Sequence, residues 1–428
     1  MNPLFISILV TVATVTIGVP IFYSLGTFVL VYFWLTDHTM LVMVQSLISG
    51  MNLFSLLALP LFLLAGQIMN RARITDDLME FAYLIVGRLR GGLAHVNIVT
   101  SIVFAGISGA AVADASALGT TLIPNMEKKG YDRGFSVAVT AASSTIGPII
   151  PPSIIMVLVG ITSRQSIGAL FLAGVVPGLL MGLGMMLLVF FFSILRDYPV
   201  VSQQRRPREI WRIIYVALPA LLVPIVVIGG IVLGVFTPTE AAAVAVVYCL
   251  LYSVVRRSIT IRDLRDSLFA AGQTSATILW IIGAARGISW ILARNRVGDL
   301  VYQFIVGIDP SPALFLLIVN LLLLLVGMVL ETSAALFIFI PILMPLAALI
   351  GIDALHMAFI VGMNLTLGLA TPPLGLSLYV SANVGGLSLA KASRAVIPFV
   401  AVNVVVLLIA SYIPGVVMWL PRLVGLIG

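Results

Sequence analysis

Long apolar runs, separated by short polar or basic clusters, dominate this 428-residue chain. They fall at 4–18, 21–34, 52–70, 95–126, 134–161, 168–195, 213–235, 240–255, 274–293, 312–350, 356–382 and 396–420. A bilayer-crossing helix takes about 20 apolar residues, so most runs read as single crossings. Runs 95–126 and 312–350 do not. Each is too long for one crossing and short for two crossings with a loop. Each is also interrupted at its middle, from Gly106 to Ser116 in the first and from Gly327 to Ser333 in the second. Polar backbone at membrane depth is tolerated only where it is buried in protein or lines a cavity. Both runs are therefore predicted to be re-entrant hairpins, at about 93–126 and 312–350.

The flanks give the hairpins their sides. Arg88 and Arg90 precede the first, and Lys128, Lys129 and Arg133 follow it. Basic ends face the cytoplasm. Asp309 and Asp353 flank the second, which is predicted to open to the other face.

The chain also repeats itself. Gly147-Pro-Ile-Ile-Pro-Pro152 matches Gly368-Leu-Ala-Thr-Pro-Pro373 at an offset of 368 − 147 = 221. The same offset carries Gly106 to Gly327, Pro124 to Pro345 and Gly66 to Gly287. Ile85-Val-Gly87 parallels Ile305-Val-Gly307 at 305 − 85 = 220. The halves are expected at 1–195 and 213–428, with a cytoplasmic linker at 196–212. Counting crossings from cytoplasmic Arg71 and Arg73 starts the first half outside and the second inside. The expected fold is thus an all-α integral membrane protein of two inverted-topology repeats, with ten transmembrane helices and two re-entrant hairpins. Both termini are expected to be periplasmic.

Inverted repeats with helices broken at mid-membrane are the architecture of secondary transporters, with the site at the repeat interface. Runs 134–161 and 356–382 are the broken helices here. Pro151-Pro152 and Pro372-Pro373 each remove two successive backbone donors and disfavour helical geometry before them. The carbonyls of Gly147, Ile150, Gly368 and Thr371 are then left without helical partners. Such oxygens suit a hard cation.

Composition agrees with a lipid environment. Hydrophobic residues make up 61% and charged residues 9%, against about 25% charged in soluble domains. Continuous apolar runs exclude an outer-membrane barrel, whose strands alternate. The net charge of +7 comes from basic residues at the ends of apolar runs, which reads as orientation and not as nucleic-acid binding. One cysteine, Cys249, excludes disulfides within the chain and cysteine-based metal sites. No Gly-x-x-x-x-Gly-Lys-Ser/Thr loop occurs, which speaks against an ATP-driven permease. No paired catalytic groups converge at membrane depth, which speaks against an intramembrane enzyme.

Ser108–Pro124, Gly147–Pro152, Phe236-Thr-Pro-Thr-Glu240 and Thr371-Pro-Pro-Leu-Gly375 together resemble the large membrane subunit of tripartite ATP-independent periplasmic (TRAP) transporters. The resemblance covers the whole chain in order. It implies sodium-driven uptake of an organic acid across the bacterial inner membrane. It implies as partners a periplasmic binding protein, for which Phe236–Glu240 is a candidate contact, and a separate small four-helix membrane subunit. It also implies an elevator motion, in which a block holding both hairpins slides against a scaffold. Carried over, a first sodium site uses Ser108 with carbonyls of Gly147, Ile150 and Pro151, and a second uses Gly327, Gly368 and Thr371. At the first tip this chain has Ala105 and Ala110 where a second hydroxyl is expected. The alternative is a stand-alone carboxylate or ion antiporter.

Other candidates keep two readings. Gly106 and Gly109 are expected at the first hairpin tip, beside Ser116, with Gly327 equivalent to Gly106. Asp114 and Glu331, the latter with Thr332, either serve the site or cap a helix. Arg286 either attracts a substrate carboxylate or pairs with an acid or a lipid headgroup. Ser144, Thr145 and Asn364 either touch substrate or join helices. His38, His95 and His356 read as interfacial residues.

Overall fold

A computed structural model describes residues 2–72, 74–200, 206–297, 303, 307 and 310–427, with the side chains of Ile107 and Ser108 left outside. Ile305 and Asp309 also lie outside the described residues. Among the described residues the regular structure is helical, with no strand. Its first half holds α1 (Pro3–Thr16), α2 (Ile21–Trp34), α3 (Met40–Met51), α4 (Ala58–Arg71) and α5 (Ile74–Val86), then α6 (Gly92–Ser108), α7 (Ala111–Lys128), α8 (Arg133–Ser144), α9 (Ile154–Ser163) and α10 (Ile167–Leu195). The second holds α11 (Pro207–Val232), α12 (Pro238–Arg256), α13 (Ile261–Arg294), α14 (Pro312–Gly327), α15 (Thr332–Leu349), α16 (Ala354–Gly368), α17 (Leu376–Val384), α18 (Leu389–Tyr412) and α19 (Pro414–Leu423). Seven helices among the described residues are long and apolar enough to cross a membrane. Large apolar side chains such as Leu195, Leu251 and Phe269 point outward, as lipid as solvent allows.

The 221-residue offset reaches the element boundaries. Adding 221 to α7 (111 to 128) gives 332 to 349, the bounds of α15. Asp132 caps α8 by accepting from Phe135 N at 2.8 Å, and Asp353 caps α16 by accepting from His356 N at 2.9 Å; 132 + 221 = 353. Gly130 and Gly351, again 221 apart, both turn the chain at positive φ, +86° and +78°, where a side chain would be strained. The breaks carry cis bonds at Pro151-Pro152 and Pro372-Pro373. Packing is exchanged in the same way. α7 packs on α17 while α15 packs on α9, and α8 packs on α18 while α16 packs on α10.

Two groups of helices result. α2, α3, α4, α12 and α13 pack together as a frame, and the hairpins α6–α7 and α14–α15 pack with the broken pairs α8–α9 and α16–α17 as a block. α5 joins the two groups, packing on α6 of the block and on α4 of the frame, and also on α11. Ion pairs gather the basic helix ends on one end of the molecule. Arg71 meets Asp263 at 3.5 Å, Arg256 meets Asp77 at 3.2 Å, Arg133 holds Glu127, and Arg196 lies 3.9 Å from Asp132. α10 runs 29 residues from this end, about 43 Å at 1.5 Å per residue, so Arg164 before it lies at the opposite end. The base of the first hairpin, at Lys128, shares a cavity with Asp76 of α5 on the basic end. The base of the second, at Pro345, shares one with Arg164.

Several expectations are corrected. The segment expected as linker at 196–212 is shorter, because α11 begins at Pro207, whose fixed φ suits a first helical position. Helices α3 and α5 were not foreseen. α3 is short, and α5 begins with Asp76 and Asp77, too polar for a crossing. The last run is two helices, parted at Ile413-Pro414 where a backbone donor is missing. His95 and His356 are buried, not interfacial, and His356 Nε2 lies 2.8 Å from Ala410 O.

Candidate functional site

Each hairpin meets a break, and the meeting is made by backbone. α6 ends in Gly109, left-handed at φ +60°. A Cβ on Gly109 would lie 3.0 Å from Pro152 O and 3.1 Å from Ile154 N, so the tip rests on the cis-proline loop. In the second half, a Cβ on Gly368 would lie 2.4–2.5 Å from the C, Cα and O atoms of Gly327. A side chain at 368 would forbid that approach, and a Cβ on Gly327 would crowd it, 3.2 Å from Gly368 Cα.

The first tip is therefore Gly109-Ala110, and the expectation that Gly106 is the tip is corrected. Gly106 lies within α6 and faces the second half, since its Cβ would be 2.8 Å from Pro224 Cβ of α11. Nor are Gly106 and Gly327 alike: Gly327 ends α14 and touches the break.

Around the first break, Asp114 sits in the first turn of α7, fully buried. Its Oδ2 is 2.2 Å from the point a Cβ on Gly147 would occupy, so this carboxylate lies against the break. Asp114 thus takes both positions left open for it, in the first turn of a helix and at the break. Among the described residues, no donor reaches the carbonyl oxygens of Gly147, Ile150 or Pro151. Ser153 donates to Pro148 O and accepts from Met156 N, which fixes the far side of the loop. The Ser108 side chain lies outside the described residues.

Around the second break, Thr371 Oγ1 donates to Leu367 O at 2.8 Å, and Thr332 Oγ1 reaches Leu365 O at 3.5 Å. One expectation changes here. The Gly368 carbonyl is not without a partner, because Thr371 N donates to it at 3.0 Å; its second lone pair is what remains. The carbonyls of Gly327 and Thr371 accept from no described donor. Glu331 resolves as a cap, its carboxylate accepting from Ala334 N at 3.0 Å and from Ser333 Oγ.

A buried polar seam ties each first hairpin arm to its broken helix. Asn364 Nδ2 donates to Asn320 O and Oδ1 at 3.0 and 2.8 Å, and Asn320 donates to Ser411. Ser143, 221 residues before Asn364, accepts from Ser101 at 2.9 Å and donates to Asn97 Oδ1 at 3.3 Å. Asn97 and Asn320 were missed by the sequence reading. Each is a lone amide in the apolar first arm of a hairpin, and that was the available signal. Thr145 accepts from Asn403 at 3.4 Å, while Ser144 turns back to Ala141 O.

Two cavities flank these contacts. Ser116 lines one of about 380 Å³ with Asn70, Thr75, Asp76 and Thr120, between α4–α5 and the second arm of the first hairpin. Arg286 lines another of about 430 Å³, between α13 and the second arm of the other hairpin. Arg286 is therefore not at the breaks.

Oxygen-only ligation suits a hard cation, and the carbonyls at the first break are of that kind. No cluster of three His, Cys, Asp or Glu residues able to hold a metal occurs among the described residues.

Residues 8–416 match the family described as tripartite ATP-independent periplasmic transporter, DctM component. The chain belongs to that family. It is 38% identical over 408 residues to the sialic acid TRAP transporter large permease protein SiaM of Vibrio cholerae, covering 95% of each chain. It is 36% identical over 374 residues to the C4-dicarboxylate TRAP transporter large permease protein DctM of Pseudomonas aeruginosa, covering 87% of each. Its fold is similar to that of the YdaH transporter of Alcanivorax borkumensis, with a TM-score of 0.64 at 13% identity, covering 97% of this chain and 98% of that one. The chain is thus a multi-pass membrane subunit of a transporter and not an enzyme.

Proposed function

We propose that this chain is the permease subunit of a sodium-coupled uptake system for an organic acid in the bacterial inner membrane. The relatives named for sialic acid and C4-dicarboxylates support a carboxylate substrate. The observation that carries the ion assignment is the pairing of two broken helices with two hairpins through glycine backbone. In this reading, carbonyls of Gly147, Ile150 and Pro151, with Ser108, hold one sodium ion. Those of Gly327, Gly368 and Thr371 hold the second. Ions bound there join hairpin to break, so substrate held beside them moves only with the assembled block.

The block slides against the frame as an elevator, with one cavity serving each face. The repeats are inverted, the basic end is cytoplasmic, and the termini are periplasmic. A small four-helix membrane subunit braces the frame, and a periplasmic binding protein delivers substrate near Phe236–Glu240.

The test is reconstitution in liposomes with candidate small subunits and binding proteins, assayed with labelled sialic acid and C4-dicarboxylates. Uptake is expected only when all three components are present. Equal uptake by this chain alone contradicts the tripartite reading.

A further inference from the structure

We propose that the cavity between the frame and the block, at the end away from the basic helix termini, is a capture site for the substrate carboxylate, with Arg164 and Arg286 as its cationic pair. This rests on the uptake reading above and adds where the anion is first held. The cavity, about 430 Å³, takes Arg286 and Ser289 from the frame helix α13, Thr162 and Arg164 from the end of α9, and Pro341 and Pro345 from α15. It therefore straddles the two groups that an elevator moves apart.

Both arginines are costly where they stand. Arg164 ends α9 in the left-handed conformation, φ +58°, which a side chain disfavours. In the other half, the helix matching α9 is followed by the same conformation, φ +58°, on a glycine, Gly386. The fold thus has a glycine solution for this turn and uses arginine in one half only. Strained residues of this kind cluster at functional sites. Arg286 lies within a membrane-length helix, and its counterpart at 286 − 221 = 65 is buried Ala65. Room for it is made by Gly50, where a Cβ would fall 2.7 Å from Arg286 Cγ.

Neither guanidinium has a carboxylate within 4.0 Å among the described residues, whereas Arg71, Arg133, Arg196 and Arg256 at the other end all do. Two such cations facing one cavity, both partly exposed, create a positive field that attracts anions, and the planar fork of a guanidinium fits a carboxylate with two parallel hydrogen bonds. The opposite cavity, lined by Asp76, Ser116 and Thr120 among others, has no Arg or Lys in its lining.

The test reads the cavity without transport. Thr162→Cys in a Cys249→Ala background is modified, in the reconstituted chain, by a sulfonate-bearing methanethiosulfonate or its trimethylammonium analogue. At low ionic strength the sulfonate reagent is expected to be favoured roughly tenfold over its ratio for free cysteine. The preference should fall with added salt and in Arg164→Gly and Arg286→Gln. Millimolar succinate, as a probe carboxylate, should slow the reaction more than chloride of equal ionic strength. Glycine accepts the left-handed turn, so Arg164→Gly removes charge without disturbing the fold, and Arg286→Lys should keep the preference. A reagent ratio equal to that of free cysteine, or one indifferent to both charge-removing variants, overturns the proposal. So does failure of succinate to protect. Failure here removes the capture site alone, whereas failure of the uptake experiment removes the reading beneath it.

Discussion

Gly368 carries the closest contact between hairpin and break. A methyl there would press on the backbone atoms of Gly327 at 2.4–2.5 Å, and backbone has no rotamer to escape into. Gly368→Ala is expected to cost about 1–3 kcal/mol and to abolish the extra thermal stability that sodium gives the parent, read by unfolding in detergent with sodium or choline. Retention of the full sodium increment would refute ion binding at this contact. Gly106→Ala should behave differently, because its methyl would clash with Pro224 of α11 at 2.8 Å while meeting Pro151 O of the break only at ordinary contact, 3.6 Å. Transport should slow while the sodium increment stays. The seam offers a control for plain packing. Asn364→Ala removes two hydrogen bonds to Asn320 and should lower stability by about 1–2 kcal/mol, the upper range for bonds between membrane helices, with or without sodium.

At the scale of elements, the paired hairpins decide the topology. Their bases lie at opposite ends of the molecule, one with Lys128 and the other with Pro345. Single cysteines at Lys128 and Asp353, with Cys249 replaced, should therefore react with impermeant reagents from opposite faces of intact cells. Reaction of both from one face would contradict inverted repeats.

The hairpins were legible in the sequence because interrupted apolar runs and a repeated Gly-x-x-x-Pro-Pro pattern are direct consequences of backbone chemistry. Their bounds, 93–126 and 312–350, fall within two residues of the helices found. The tip at Gly109 was not legible, since a helix can run through Gly106, and only the neighbouring loop decides where it stops. α5 was hidden for a different reason. Its charge suits a linking helix as well as a loop, and hydropathy does not separate the two. Arg164 was hidden because a left-handed backbone at a non-glycine residue leaves no mark in the sequence.

At the scale of the whole molecule, the exchanged packing of the two halves means that neither broken helix is completed by its own repeat. α9 leans on α15 and α17 leans on α7, which ties the two halves of the block to each other. In the proposed mechanism coupling follows from assembly: a block with both breaks filled would be the form that carries substrate across. In liposomes holding this chain with its two partners, the initial uptake rate of the organic acid should be measured against external sodium, with ATP absent. The account predicts a rate that rises more than linearly with sodium, and accumulation that collapses when the sodium gradient is dissipated. Uptake unchanged by replacing sodium with choline, and driven instead by a proton gradient, would contradict it.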